Sequence, residues 1–167
     1  MADFDKALAV WLTVEGSYSP DAGGTEHGIA AETYANWRRK HGLPPQPITK
    51  ITPTETSAVL KDEYWLPLNL GSLPQAWATF LLIEGGNLPW RDAVRIAQNE
   101  LAWMGLYCGE IDGDVGPEMI QACKLAPNMI EIAIHGVLAH YATNSDPRLQ
   151  MGFRNRLKIL RQAVEEG

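Results

Sequence analysis

Apolar positions near the start of the chain recur three and four apart, at Phe4, Leu8, Trp11 and Leu12, with Glu15 on the same face. That spacing predicts a short amphipathic helix, stopped by Gly16 and Pro20. From Ser17 to Gly28 the chain is polar and rich in Gly and Pro, which predicts a loop or a small irregular hairpin. Helical patterning returns over residues 31–40 and breaks at "HGLPPQP". "TPTETSAVLKDEYW" then places a threonine, a proline and a glutamate where a helix start wants a cap, a first-turn proline and a capping-box acid. Residues 74–85, "PQAWATFLLIEG", are the most apolar segment and predict the central buried helix. Further helices are expected at 91–104, 118–124, 130–141 and 152–165, with "GEIDGDVGPEM" as a turn between two of them. No long alternating run of β-branched residues appears. The expected class is mainly α, a helical single domain with a loop or small hairpin after the first helix.

Composition narrows the function. The chain has 167 residues, 46% hydrophobic and 20% charged, enough for one domain with a sizeable core. Net charge is −6, so no global basic field argues for nucleic acid. The charge is uneven, however: Arg148, Arg154, Arg156, Lys158 and Arg161 cluster near the end. Two readings stand for that basic stretch, a surface helix docked on the core or weak attraction to anionic wall polymer or membrane. Cys108 and Cys123 sit beside apolar residues and are expected to be reduced and buried. The four histidines are scattered, so no metal-ligand spacing is visible and neither metal nor cofactor is expected. "DGDVG" has too few acids in the right places for a calcium loop and reads as a tight turn. The first residues, "MADFDKALAV", are acidic where a signal peptide is basic, and no apolar run approaches about 18 residues. Neither secretory signal nor membrane span is expected, and the chain should accumulate in the cytoplasm.

Glu15 is the residue that invites chemistry. Glycoside hydrolysis uses an acid to protonate the leaving oxygen and a second polar group to activate water or stabilise the oxocarbenium-like transition state. The acid must keep its proton near neutral pH, which burial against apolar or aromatic surface promotes. Glu15 shares a face with Trp11 and Leu12, Gly16 leaves room beside it, and the next loop supplies Asp21 and Thr25. The same composition also suits an ordinary helix end. Glu84, in "IEGG", is a rival acid, but no threonine or glycine-lined loop follows it.

"VEGSYSPDAGGTEHGI" resembles the opening motif of glycoside hydrolase family 108, the phage and prophage N-acetylmuramidases, through Glu15, Gly16, Tyr18, Asp21, Gly23, Gly24, Thr25, Gly28 and Ile29. The resemblance implies a lysozyme-like fold and makes Glu15 the catalytic acid. The broader phage-lysozyme pattern of glutamate, aspartate and threonine suggests Asp21 and Thr25 as the pair that positions water or stabilises charge on the sugar. Ser17 and Ala22 depart from the motif, and the spacer between Tyr18 and Asp21 is shorter.

Further matches follow in order. Tyr64-Trp65 resembles an aromatic pair that the family places near the cleft. "AQNELAWMGLYCGEIDGDVGPEMIQA" is similar to the family's peptidoglycan-binding-type region, and "GFRNRL" to its closing motif. "LLIEGGN" is the stretch that disagrees. The implied division is a catalytic region at 1–90 and a peptidoglycan-binding-type helical region at 91–167, packed into the same domain. Tyr18, His27, Tyr64 and Trp65 are the candidate substrate contacts; Trp90 could also stack on a sugar ring. The implied protein is a monomeric endolysin that cleaves the β-1,4 bond between N-acetylmuramic acid and N-acetylglucosamine, with a holin as a partner for export. A lytic transglycosylase and a non-catalytic wall-binding module are the alternatives.

Overall fold

The structure is a computed structural model that describes residues 1–15, 24–89, 91–126, 130–142 and 154–162. Helix α1, Phe4–Val14, starts on Asp3, whose carboxylate accepts from the Asp5 and Lys6 backbone N–H groups. This is the cap that an acidic helix start favours. Ala7 and Trp11 are buried on its inner face, and the chain leaves helical geometry at Glu15.

Two two-residue strands follow, β1 (Thr25–Glu26) and β2 (Ile29–Ala30), paired antiparallel with Thr25 opposite Ala30 and Glu26 opposite Ile29. The turn residues His27 and Gly28 both have positive φ, 50° and 76°. Two such residues mark the tight hairpin turn whose twist suits antiparallel strands. The described part of the predicted loop is therefore a minimal hairpin. Helix α2, Ala31–Lys40, then packs against β2.

Helix α3, Pro53–Leu60, begins with the expected capping box: Thr52 accepts from the Glu55 N–H, and Glu55 accepts from the Thr52 N–H. It continues into a π-helical turn, Lys61–Trp65. Helix α4, Gln75–Asn87, is the central helix, with an unbroken buried run from Trp77 to Gly85. It packs on α1 and on α5 (Asp92–Trp103) and α7 (Ile130–Ala142). Burial on every side is why its sequence shows no polar face. Helix α6, Pro117–Leu125, is tied to α4 by the Trp77 indole, which donates to the Ala126 carbonyl at 2.8 Å. One hydrophobic cluster runs from Ala7 to Leu160 through both halves of the chain.

The last described helix, α8 (154–162), is docked through buried Leu157 and Leu160, and Arg161 pairs with Glu131 of α7. Its cations do not form one exposed patch, because Arg156 points inward. The cysteine expectation is corrected in one respect. Both thiols are free, but Cys108 is exposed and only Cys123 is buried. An apolar neighbourhood in sequence does not ensure burial in a connecting segment, where packing across helices is missing. "DGDVG" forms a turn held by Gln98: its amide donates to Asp112 and accepts from the Gly113 N–H. Among the described residues no helix is long and apolar enough to cross a membrane.

Candidate active site

Glu15 lies where α1 stops, its backbone N–H still donating to the Trp11 carbonyl at 2.8 Å. Its side chain is only 12% exposed. The Asn87 amide at the end of α4 donates to Glu15 Oε1 at 2.9 Å and to the Ile83 carbonyl at 2.7 Å. Arg156 Nε of α8 lies 3.2 Å from the same oxygen. Three helices that are remote in sequence thus converge on one carboxyl group.

The hairpin closes a further side. A Cβ built on Gly28 would lie 2.7 Å from Glu15 Cγ and 2.9 Å from Oε2, so glycine is needed both for its φ and for this close approach. The indole of Trp11 donates to the His27 carbonyl at 2.7 Å, which fixes the turn on α1. Gly86 lets the other edge of Trp11 lie against α4, since a Cβ there would be 2.2 Å from Trp11 Cη2. Trp11 is thus a fully buried wall beside the acid.

Behind Glu15 lies a second acid. Glu84 is fully buried on α4, and Tyr141 of α7 donates to its Oε2 at 2.7 Å. Burial pushes the Glu84 carboxyl above the usual carboxylate range; the Tyr141 hydroxyl and Arg156 oppose that rise, and Glu15 adds to it. Burial likewise pushes the Tyr141 hydroxyl up, although its hydrogen bond with Arg156 acts the other way. A cavity of about 640 Å³ opens beside Tyr141 between α7 and α8, walled also by His135, Leu138, Arg154 and Leu157.

The sequence candidates fall into three groups. Glu15, the His27 backbone and Tyr64 come together around Trp11; Tyr64 packs on the Trp11 ring at 6.3 Å and is hydrogen-bonded to Thr33. The His27 side chain is partly exposed and lies 3.7 Å from Glu26. Thr25 stands half-buried at the start of the hairpin that covers Glu15. Trp65 faces away: it is buried, edge-on to Phe4 at 5.3 Å, and serves the core. Tyr18, Asp21 and Trp90 lie outside the described residues. Asn87, Tyr141 and Arg156 were not among the sequence candidates. The signals for two of them were present in "LLIEGGN" and "GFRNRL".

Residues 8–83, which contain Glu15 and the hairpin, match the family model described as Glycosyl hydrolase 108. The chain is a glycoside hydrolase of peptidoglycan. Among solved structures it is similar to that of Brucella abortus SagA, with a TM-score of 0.77 and 18% identity, covering 97% of this chain and 94% of that one. At that identity the likeness concerns the fold, and the lysozyme-like helical class expected from the sequence holds for this hydrolase. Among curated proteins none matches the chain. No group of three or more His, Cys, Asp or Glu side chains among the described residues is placed to hold a metal ion.

Proposed function

We propose that this hydrolase is an N-acetylmuramidase of the phage or prophage endolysin type, and that Glu15 is its general acid. The observation that carries the reading is the placement of Glu15: a largely buried carboxyl at a helix end, gripped on Oε1 by Asn87 and Arg156 and covered by a glycine hairpin. An acid so held cannot swing between rotamers, and fixed geometry is a large part of what a catalytic acid contributes.

In this reading Oε1 stays with its two partners and Oε2 carries the proton. As the bond between C1 of N-acetylmuramic acid and O4 of N-acetylglucosamine breaks, that proton passes to O4. Water adds its hydroxyl to C1, and its remaining proton goes to Asp21, which works with Thr25 to hold the water. Tyr18, His27 and Tyr64 are the substrate contacts of this reading, and residues 91–167 its peptidoglycan-binding-type region within the same domain. The enzyme waits in the host cytoplasm as a monomer and reaches the wall through a lesion made by a holin.

Mass spectrometry of digested peptidoglycan tests the proposal. Reducing muramic acid ends are expected from the parent protein, and Glu15→Gln should release none. Anhydro-muramic ends would assign a lytic transglycosylase instead. Full activity in Glu15→Gln would show that a different group is the acid.

A further inference from the structure

The cavity between α7 and α8 takes no part in the chemistry at Glu15. It measures about 640 Å³, inside the range of about 300–1,000 Å³ that small-ligand sites occupy. Its walls include two stripes at helical spacing: His135, Leu138 and Ala139 on α7, and Arg154, Leu157 and Arg161 on α8. Side chains three, four and seven apart share one helix face, so the cavity is a groove between two facing stripes. The Arg161–Glu131 pair sets the end of α8 beside the start of α7, which leaves Arg154 toward the far end. Seven residues at a rise of about 1.5 Å put the two arginines on the order of 10 Å apart along α8.

The two cations differ. Arg161 is committed to Glu131, with Nε 2.8 Å from Oε1 and 2.9 Å from Oε2. Arg154 is exposed and has no hydrogen bond or ion pair among the described residues. Among those residues no carboxylate lines the groove. In a chain of net charge −6, a guanidinium on a groove wall with no acid opposite is complementary to an anion from outside. A carboxylate suits it best, because arginine can take both of its oxygens at once.

Only one helix separates the groove from the acid. Arg156 and Leu157 are consecutive on α8: the first lies 3.2 Å from Glu15 Oε1, and the second lines the groove. Tyr141 lines it too, and its hydroxyl donates to Glu84 of α4 at 2.7 Å. Aliphatic walls with a cation toward each end fit a short peptide with small apolar side chains and free carboxylates. Peptidoglycan, the polymer this hydrolase cuts, carries such a peptide on its muramic acid.

We propose that the α7–α8 groove binds the stem peptide of the strand being cut, with Arg154 on one of its carboxylates and Leu138 and Leu157 against its methyl groups. The inference deepens the muramidase reading and rests on it for the sugar that bears the peptide. Arg154 touches the substrate far from the breaking bond, so it sets which strands are cut and not how.

The test compares two soluble glycan chains, one with its stem peptides and one from which an amidase has removed them. The parent should cut the peptide-bearing chain with a kcat/KM about tenfold higher or more, the scale of one hydrogen bond between charged groups. Arg154→Gln should bring that ratio close to one, and Arg154→Lys should keep part of it. Ala139→Trp fills the groove from an exposed position and should also abolish the ratio; thermal melts show which variants fold, and either one suffices. Equal kcat/KM on the two chains in the parent overturns the proposal. So does a preference that survives in a folded Arg154→Gln or Ala139→Trp variant. Equal rates on the two chains, together with Arg154-dependent sedimentation on phosphatidylglycerol vesicles, would give the groove to a lipid surface instead. The assay counts cuts whatever end they leave. Anhydro ends, or a fully active Glu15→Gln, would therefore remove the muramidase reading, whereas reducing ends without a peptide preference would remove only the groove.

Discussion

Asn87 and Glu15 lie 72 residues apart in the chain, yet the amide of one donates to the carboxylate of the other at 2.9 Å. The bond joins the last turn of α4 to the residue that ends α1, and the second Asn87 contact, to the Ile83 carbonyl, keeps the amide from rotating. Asn87→Ala should lower kcat/KM by about 10- to 100-fold, the scale of a misplaced catalytic group. Asn87→Asp should cost more near neutral pH, because it sets a second carboxylate against Glu15, and should recover part of the loss as the pH is lowered. Steady-state kinetics across pH distinguish the two variants.

Gly86 and Trp11 make the tightest contact behind the acid. Gly86→Ala would drive a methyl into the indole, and overpacking of this kind costs about 1–3 kcal/mol. Because Trp11 also holds the hairpin turn through His27, activity should fall together with thermal stability. Thermal melts and lysis assays on the same preparation check both. A variant with the parent melting temperature would show that Trp11 has room to move.

The "DGDVG" turn predicts an acid limb in stability. The Gln98 amide, together with the Asp114 backbone N–H, holds the Asp112 carboxyl below its usual range. A depressed folded value means that the stabilisation is present above the ordinary carboxylate range and is lost as the pH falls through the folded value. Asp112→Asn keeps an acceptor oxygen for both donors but no longer titrates. Its melting temperature should therefore fall less steeply than the parent's below about pH 4. Parallel curves for the two proteins would remove Asp112 from the acid response.

The two thiols should react very differently. Cys108 is exposed, whereas Cys123 is buried and burial pushes its thiol up to about 12. A maleimide or aromatic disulfide reagent near neutral pH should modify Cys108 alone in the native protein and both residues after denaturation. Mass mapping of the labelled peptides gives the answer. Native labelling of Cys123 would mean that α6 opens on the timescale of the reaction.

Much of the fold was legible in the chain because its signals are local. Three- and four-residue spacing places α1, and Thr52, Pro53 and Glu55 announce α3 through their own backbone contacts. The unbroken apolar run from Trp77 marks α4 as central, since only a helix surrounded by others can dispense with a polar face. The Gly-rich stretch that ends at Gly28 likewise signals a turn next to Glu15. Cys108 misled because its neighbours in sequence are not its neighbours in space. The basic ending was open to two readings for a related reason: the packing of α8 on the core turns one of its cations, Arg156, inward to Glu15.

By itself, then, the sequence determined the helices, the hairpin that follows the first of them, and Glu15 as the residue to suspect, because periodicity, caps and glycine turns act over a few residues. Only the tertiary structure decided what surrounds that carboxyl. Asn87, Glu84, Tyr141 and Arg156 come from three other helices, and the partners of a buried charge are chosen by how helices pack, which no local pattern encodes.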